Sequence, residues 1–537
     1  MAPTYEKAEL ALEDMVVARL LDLRARESPD RDLITFGDDT WSTARVADES
    51  ALIAAGLAGS GIGRGDAVAI LLPNGPEFIS SYFALSRLAA VAVTINTAYR
   101  GYLLEHVLND TAAGTLIVHA PLLDRVEASA GAVPGLRRVV VLGADAGRLA
   151  AAGERMPGVE VLDYARLREG APGVADASTF EDVNCVIYTS GTTGPSKGVP
   201  ITNAHAVSKA LEVIRICEIR AGDVIYSPLP LFHSMALLRG VLAGLVAGGS
   251  CVLRERFSAS GFCDDVRRVG ATVGHCVFSI PEILKKLPPS PDDRDHSLRS
   301  LYNARQDTEF EERFGVRLIE GYGLTEAGVA MYMRPDDPPR PGSCGRVSDE
   351  WEVQLFDAAD RPVTTGEIGE IVLRPRRPHL VTPGYLNRPE ATAEQCRNLW
   401  FHTGDLATVD DEGYFYFKDR KKDAIRRRGE NISSWELEQV LRGHASVAEA
   451  VALPYPSPVG EDDVRVIVTL REGARLTPEE LLAHCAERLP DFMVPRYVEI
   501  REDLPRTPTG RIEKYRLRDE PLASDCHDRG DDRPARR

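Results

Sequence analysis

Residues 188–198 read Tyr188-Thr189-Ser190-Gly191-Thr192-Thr193-Gly194-Pro195-Ser196-Lys197-Gly198 and follow the apolar run Cys185-Val186-Ile187. The apolar run predicts a buried strand, and the residues after it predict a loop. Glycines let backbone N–H groups approach a ligand, hydroxyls donate hydrogen bonds, and a lysine supplies positive charge. The loop is therefore suited to wrapping phosphates, although it lacks the GxxxxGK[ST] spacing of a P-loop. A flexible surface turn is the alternative, but the strand before it and the lysine at its end favour a phosphate site.

The sequence around this loop predicts helix-covered parallel sheets. Upstream, the apolar runs 67–72 and 91–95 flank an amphipathic helical pattern over 77–88, and a second alternating stretch covers about 182–332. Strand–helix alternation is typical of parallel sheets with helices on their faces. Short strands at 353–357, 369–373 and 414–417 then indicate a β-rich subdomain.

The dense basic segment 418–428 marks the domain boundary that we predict. An α/β protein with a large N-terminal domain (1–417) and a small, mobile α+β C-terminal domain (418–520) follows from this reading. Residues 521–537 are polar and charged, so we predict a disordered tail.

Composition narrows the class of protein. The 537 residues exceed what one core usually serves, and the formal net charge of −17 argues against a nucleic-acid partner. The nine cysteines form no CxxC pair or zinc spacing, which is typical of reduced thiols. The sequence shows no signal-peptide pattern, and its longest apolar stretch, around 241–252, is too short to span a membrane. We therefore expect a cytoplasmic protein without a membrane span.

Two further segments suit a nucleotide. In Gly321-Tyr322-Gly323-Leu324-Thr325-Glu326, the tyrosine ring can stack on a base, the threonine can bond a phosphate and the glutamate can hold Mg²⁺. In Trp400-Phe401-His402-Thr403-Gly404-Asp405, the aspartate can accept hydrogen bonds from both ribose hydroxyls. Each segment alone would be a weak signal.

Together with Asp419-Arg420, these three segments identify a resemblance. From about residue 41 to residue 517 the chain resembles the adenylate-forming superfamily of acyl- and aryl-CoA synthetases, luciferases and peptide-synthetase adenylation domains. It looks most like the carnitine/crotonobetaine-type CoA ligases, through 401–405, Arg428-Gly429-Glu430-Asn431-Ile432-Ser433 and Leu504-Pro505-Arg506. The resemblance implies that an acid attacks the α-phosphate of MgATP to give an acyl-AMP, and that a nucleophile then displaces AMP.

The resemblance also implies residue roles. The β- and γ-phosphates would be held by the loop residues Thr189, Ser190, Gly191, Thr192, Thr193 and Lys197. Tyr322 would stack on adenine, Thr325 would bond the α-phosphate, Glu326 would hold Mg²⁺, and Asp405 and Arg420 would grip the ribose. Lys422 would be the domain hinge, Phe232-His233 would line the acid site, and Gly429 would lie on the CoA channel.

Two departures from the family pattern concern the acid. The usual Gly-Gly-x-Pro-like turn is replaced by Tyr302-Asn303-Ala304-Arg305-Gln306, and Arg305 would add positive charge near the acid pocket. The catalytic lysine of the C-terminal segment is replaced by Arg511, whose planar head has a different hydrogen-bond geometry. Lys514, three residues on, is an alternative catalytic cation.

The catalytic set that we predict is Lys197, His233, Thr325, Glu326 and Arg511, with ATP and Mg²⁺ as cofactors and CoA as co-substrate. A carboxylate–CoA ligase is the leading interpretation. A diazotase that activates nitrite for transfer to an aryl amine in natural-product biosynthesis, and a non-catalytic AMP-binding sensor, remain alternatives. The loop spacing disfavours a P-loop kinase.

Overall fold

A computed structural model of the chain describes residues 10–169, 173, 178–189, 196–277, 279–302, 304–334, 336–420, 425–427, 430–432, 434–457, 462–489, 493–507 and 512–530.

The first part of the chain, to residue 189, alternates strands and helices. Its strands are β1 (Asp32–Phe36), β2 (Asp39–Ser42), β3 (Ala67–Leu71), β4 (Val91–Thr94), β5 (Thr115–His119), β6 (Arg138–Leu142), β7 (Glu160–Asp163) and β8 (Val183–Thr189). Its helices are α1 (Val17–Glu27), α2 (Thr43–Gly59), α3 (Pro76–Arg87), α4 (Tyr102–Asp110), α5 (Leu123–Ser129) and α6 (Ala146–Arg155).

The second part, from residue 196 to residue 356, repeats this alternation and then turns to short strands. Its strands are β9 (Lys197–Thr202), β10 (Val224–Ser227), β11 (Ser250–Leu253), β12 (Val273–His275), β13 (Ser300–Tyr302), β14 (Arg317–Ile319), β15 (Gly321–Gly323), β16 (Val329–Tyr332), β17 (Arg346–Val347) and β18 (Trp351–Phe356). Its helices are α7 (Asn203–Ile216), α8 (Ser234–Ala236), α9 (Ala243–Ala247), α10 (Phe262–Arg268), α11 (Ser279–Lys285) and α12 (Thr308–Phe314), with a π-helical turn over Leu237–Leu242.

The third part is β-rich and then α+β. Its strands are β19 (Gly369–Pro375), β20 (Phe401–Val409), β21 (Phe415–Arg420), β22 (Ile425–Arg427), β23 (Glu430–Ile432), β24 (Val447–Pro456), β25 (Asp462–Leu470), β26 (Tyr497–Arg501) and β27 (His527–Asp528). Its helices are α13 (Pro389–Gln395), α14 (Ser434–Arg442), α15 (Pro478–Arg488) and α16 (Lys514–Asp519).

Two seven-stranded sheets form the large part of the molecule, in the orders β7-β6-β5-β3-β4-β8-β9 and β14-β13-β12-β10-β11-β1-β2. The pairing within each is parallel apart from one antiparallel edge pair, β8/β9 and β1/β2 respectively. Along β3, Val68 and Ile70 belong to one buried apolar cluster, and Ala69 and Leu71 belong to another. Both faces of the strand are buried, which is why its sequence is a continuous apolar run. The predicted fold class is confirmed.

The β-rich sheet has the order β18-β19-β20-β21, and the C-terminal sheet has the order β24-β25-β26-β27. Contact density groups the chain into two compact units. Within the described residues, one unit contains 10–189, 196–352 and 374–394, and the other contains 353–373 and 395–530. The β-rich strands thus group with the C-terminal residues, whereas the sequence placed the boundary at 417/418.

The predicted disordered tail differs from the structure over part of its length. Within 521–530, β27 instead pairs antiparallel with β26, Tyr497 opposite Asp528. Arg496 Nε contacts Asp528 Oδ1 at 3.1 Å. A polar segment can be ordered when its backbone hydrogen bonds complete the edge of a sheet, and polarity alone does not reveal this. Residues 531–537 lie outside the described residues.

Candidate active site

The candidate phosphate loop begins and ends on one strand pair. Strands β8 and β9 are antiparallel neighbours, and Thr189 lies directly opposite Lys197. The two ends of the loop are therefore held side by side at the edge of the first sheet. Ser190, Gly191, Thr192 and Thr193 lie outside the described residues.

Tyr385 connects Lys197 with Glu326. The Lys197 ammonium lies 4.5 Å from the centroid of the Tyr385 ring, and the Tyr385 hydroxyl donates to Glu326 Oε1 at 2.8 Å. The neighbouring Thr382 donates from its backbone N–H to the Glu326 carbonyl at 2.7 Å and from its hydroxyl to the Pro200 carbonyl at 2.8 Å. A cation from the phosphate loop and a buried carboxylate are thus brought into one site by residues 382–385.

The turn between β15 and β16 carries Thr325 and Glu326. Tyr322 on β15 is buried opposite Met331, Thr325 is half-buried and Glu326 is buried. The Leu324 N–H donates to the Gly328 carbonyl at 3.4 Å. The turn therefore presents a hydroxyl and a carboxylate from adjacent positions.

Two side chains of helix α7 hydrogen-bond the backbone of this turn. The Lys209 ammonium donates to the Leu324 carbonyl at 3.4 Å and to the Ala327 carbonyl, while Glu212 Oε2 accepts from the Val329 N–H at 3.1 Å. A Cβ atom at Gly328 would overlap the Glu212 carboxylate, so a larger residue there would displace that carboxylate from its hydrogen bond with the Val329 N–H. Burial, and then the charge of Arg239, lower the pKa of Lys209 to about 7.

Three neighbouring parallel strands, β10, β12 and β13, end at the same edge of the second sheet. Ligands of open parallel sheets bind at the carboxyl ends of the strands. The segment after β10 is fixed by two hydrogen bonds: Leu231 N–H to Asn74 Oδ1 at 2.8 Å and Thr94 Oγ1 to the Phe232 carbonyl at 3.0 Å. His233 follows, half-buried, with its ring centroid 4.6 Å from that of Phe232.

Arg239 lies buried one and a half helical turns beyond His233. Its Nη1 donates to Ser234 Oγ at 3.2 Å, and its Nη2 is 3.6 Å from Glu212 Oε2. Burial raises the pKa of Tyr302 at the end of β13, and the charge of Arg239 acts in the opposite direction. Burial, and then Arg239, lower the pKa of His275 at the end of β12 to about 3. This edge therefore carries a buried guanidinium close to one carboxylate, Glu212, and near a neutral imidazole, His275.

The second compact unit carries Asp405 on β20. Asp405 is buried and lies directly opposite Arg420 on β21, whose side chain is outside the described residues. The turn before Asp405 is anchored by Glu370, which accepts from the Gly404 N–H at 3.1 Å and contacts His402 Nδ1 at 3.0 Å. Gly404 has φ of +74°, a conformation that favours glycine.

Asp360, Glu370 and His402 offer donor atoms within 4.8 Å of one another, as a metal site would require. However, Arg397 pairs with Asp360 at 3.0 Å and with Glu370 at 3.2 Å. Because a guanidinium already balances both carboxylates, we interpret this group as an ion-pair network that fixes the Asp405 turn.

Comparison with known proteins agrees with this geometry. The family profile described as AMP-binding enzyme matches residues 21–386, and the profile of the AMP-binding enzyme C-terminal domain matches residues 436–511. The chain belongs to the AMP-binding enzyme family. Its relatives include a crotonobetaine/carnitine–CoA ligase of Salmonella arizonae, 34% identical over 471 residues, covering 85% of this chain and 89% of that protein.

Two solved structures of the family superpose over nearly the whole chain. The anthranilate CoA ligase AuaEII in complex with anthranoyl-AMP has a TM-score of 0.83 and 26% identity, covering 95% of this chain and 97% of that one. The o-succinylbenzoate CoA synthetase MenE of Bacillus subtilis with ATP and magnesium has a TM-score of 0.78 and 26% identity, covering 93% and 98%. The chain therefore has the fold of adenylate-forming acyl- and aryl-CoA ligases.

For this family member, the structure brings together some of the predicted residues. Lys197 and Glu326 meet through Tyr385, Thr325 is adjacent to Glu326, and Asp405 faces Arg420 in the other compact unit. Other predicted positions lie outside the described residues, namely Lys422, Gly429 and Arg511.

Arg305 and Lys514 differ from what the sequence suggested. Arg305 is exposed, and its charge acts on Glu320, whose pKa burial raises to about 7. The buried cation beside His233 is Arg239. Lys514 Nζ is 2.9 Å from the buried carboxylate of Glu438 and 3.2 Å from Ser434 Oγ, so it is an anchor for α14.

Sequence reasoning missed Tyr385 and Arg239. A signal for Tyr385 is its place in Pro383-Gly384-Tyr385, where an aromatic residue follows two turn residues. A signal for Arg239 is its position as a single charge within Leu237-Leu238-Arg239-Gly240-Val241-Leu242. A lone charge in an apolar helix requires a buried partner or a ligand.

Among the described residues, none of the helices combines the length and the apolar character needed to cross a bilayer.

Proposed function

We propose that this enzyme joins a carboxylic acid to AMP at the expense of ATP, releases pyrophosphate, and then transfers the acyl group to CoA. The observation that carries the proposal is the contact line Lys197–Tyr385–Glu326, which places a cation and a buried carboxylate together at the mouth of the phosphate loop. The CoA acceptor is supported by the relatives, which are named as CoA ligases.

In the first half-reaction the α-phosphorus gains negative charge as the acid oxygen attacks. Lys197 reaches the phosphates from the start of β9, and the Thr325 hydroxyl donates to the α-phosphate. Charges and donors aimed at the reacting group lower the barrier because they stabilise this developing charge. Lys209 and Glu212 hold the Thr325–Glu326 turn in place, so the donor geometry exists before the nucleotide arrives.

Glu326 fits a role as Mg²⁺ ligand. Its carboxylate is buried and ionisable, and only Oε1 is occupied by the Tyr385 hydroxyl in the hydrogen bonds described above. Oxygen ligands of this kind suit Mg²⁺, which when bound neutralises phosphate charge. Tyr385 fixes the orientation of the carboxylate.

Tyr322 offers its ring to adenine, and Asp405 with Arg420 would bind the ribose hydroxyls. The Glu370 network holds the Gly404–Asp405 turn rigid for this purpose. We propose that 418–520 is a mobile domain hinged at Lys422, which exchanges one set of side chains for another between the half-reactions.

Arg511 would bridge the acid carboxylate and the α-phosphate. Lys514 is already engaged by Glu438 and Ser434, and moving it would leave the buried Glu438 carboxylate with the more distant Arg442, at 3.6 Å, as its cation. The structure of α14 therefore favours Arg511 over Lys514 as the catalytic cation.

A diazotase is the second candidate. The observation that favours it is the buried guanidinium of Arg239, because a small inorganic anion such as nitrite needs a cationic pocket more than a long apolar one.

One experiment separates the two candidates. Purified protein with MgATP is assayed for AMP in two mixtures, carboxylic acids with CoA and nitrite with aryl amines. AMP and a thioester in the first mixture support the ligase. AMP and a diazonium product only in the second mixture support the diazotase, and nucleotide binding with turnover in neither would show an AMP-binding sensor.

A further inference from the structure

The buried polar cluster behind His233 contains two cations and a carboxylate that has other partners. Its members on α7 and on the segment after β10 are Lys209, Glu212 and Arg239, all less than 5% exposed. The charges of both Glu212 and Glu326 act on Lys209, whereas Arg239 lies 3.6 Å from Glu212, which also accepts from the Val329 N–H. Because Arg239 makes one long ion pair with a carboxylate that it shares, its guanidinium has donors for a further anion.

Three nitrogen atoms of the cluster also indicate that a ligand is bound there. Arg239 Nε and both ring nitrogens of His275 have no hydrogen-bond partner within the described residues. His275 is 1% exposed, and its ring centroid is 6.0 Å from that of Tyr302 in an edge contact. Unpaired buried donors are rare in folded proteins, because each loses its hydration without compensation.

The cluster adjoins the residues that we assign to the acid and to the α-phosphate. Arg239 donates to Ser234, the residue after His233, while Tyr302 and His275 end the neighbouring strands β13 and β12. On α7, Lys209 donates to the carbonyl of Leu324, next to Thr325. Arg239 is therefore connected to His233 through Ser234, and to the helix that holds the Thr325 turn through Glu212.

We propose that Arg239, with His275 and Tyr302, recognises a second oxyanion at the far end of the activated acid. This inference rests on the proposed function and adds the substrate class: a dicarboxylate, or a carboxylic acid with another oxyanionic group. A guanidinium suits this task because its planar donors match a carboxylate. An acid with a cationic end, such as a quaternary ammonium group, is excluded by like charge.

The test uses wild-type enzyme and pairs of acids with matched shape. Succinate is compared with 4-methylpentanoate, adipate with 6-methylheptanoate, and terephthalate with 4-isopropylbenzoate, all with MgATP and CoA. We expect the dianion of at least one pair to have a kcat/KM about 10- to 100-fold above its monoanionic partner, the range of a charged hydrogen bond.

The Arg239→Met variant should remove that preference, so that the ratio of kcat/KM values falls to about 1 or below. Arg87→Met is the matched control, because Arg87 is also buried and paired with one carboxylate, Asp22 at 2.8 Å, but on α3. It should leave the ratio unchanged even if it lowers stability. If Arg239→Met does not fold, Tyr302→Phe and His275→Leu each remove one polar group, and each should lower the ratio.

The outcomes are distinct. A wild-type enzyme that forms AMP and thioester but prefers the isopropyl acids overturns this inference and leaves the proposed function intact. An unchanged ratio in the folded variants does the same. Absence of AMP with every carboxylic acid, together with AMP from nitrite and an amine, overturns the proposed function as well.

Discussion

The nucleotide side and the acid side of the candidate site are built differently. On the nucleotide side, the proposed ligands come from short contiguous segments, and neighbouring backbone groups fix them, as the Thr382 N–H fixes Glu326. On the acid side, the polar groups come from α7, β12, β13 and the segment after β10, and α7 is joined to that segment by a contact between two side chains, Glu212 and Arg239. The nucleotide side therefore keeps one geometry for one ligand. The acid side can acquire a different specificity through single substitutions.

This difference predicts two kinds of mutant. A change on the nucleotide side should lower activity with every acid by the same factor. A change on the acid side should alter the ratio between acids. A nucleotide-side variant that changes the ratio of activities between acids would contradict this distinction.

Lys197→Ala should have the largest effect, lowering kcat/KM about 100-fold with every acid tested, because it removes a cation directed at the phosphates. AMP release measured across several acids checks both the size and the uniformity of the loss. The control is Lys286→Ala, an exposed lysine of the same unit. Turnover equal to wild type would show that the loop does not bind phosphates.

Arg511→Ala should lower adenylate formation by about 10- to 100-fold and transfer from a supplied acyl-adenylate far less, since the cation is needed where charge builds on the α-phosphate. Pre-steady-state measurement of the two half-reactions checks this. Lys514→Ala is the comparison. It should lower the melting temperature, because Glu438 loses its shorter ion pair and keeps the 3.6 Å contact with Arg442, and it should not separate the two half-reactions. Equal losses in both half-reactions of the Arg511 variant would remove it from the chemistry.

Glu326→Gln should raise the Mg²⁺ concentration for half-maximal activity by about 10-fold, because a neutral amide is a weaker ligand for a hard cation than a carboxylate. Titration of Mg²⁺ at fixed ATP provides the measurement. Glu309→Gln, at an exposed carboxylate on α12, should leave the titration unchanged. An unaltered Mg²⁺ requirement in the Glu326 variant would place the metal elsewhere.

Tyr385→Phe should have the smallest effect, about 2- to 10-fold in kcat, because it removes one hydrogen bond to Glu326 and keeps the ring beside Lys197. Tyr385→Leu removes both contacts and should lose more. Steady-state rates of the two variants measure the contribution of the hydrogen bond and that of the ring contact. Tyr416→Phe, which removes a tyrosine hydroxyl in the other compact unit, is the control. A Phe variant as slow as the Leu variant would mean that the ring contact contributes nothing.

The layered fold could be predicted from the sequence because a strand that is buried on both faces consists of a continuous run of apolar residues. The run 67–72 was expected as a strand and β3 covers Ala67–Leu71. The nucleotide segments were equally visible, because each ligand set lies within a few consecutive residues.

The acid side was not predictable in the same way. Arg305 drew attention because it interrupts a family pattern, yet it is exposed, and the buried cation is Arg239. Which charge is buried depends on the packing of α7 against the segment after β10, and that packing leaves no motif in the sequence. Tyr385 was missed for a related reason, since its importance arises from two contacts with residues that are distant in the chain.

Helix α7 separates the two sides and contacts both. Lys209 and Glu212, one turn apart, hold the Leu324–Val329 segment on one side and approach Arg239 on the other. In evolutionary terms, new acid specificities are therefore most accessible through Arg239, His275 and Tyr302. Substitutions on the buried face of α7 would lower the rate of adenylate formation, because Lys209 and Glu212 hold the Thr325–Glu326 turn. A directed-evolution library aimed at new acids should therefore hold that face constant.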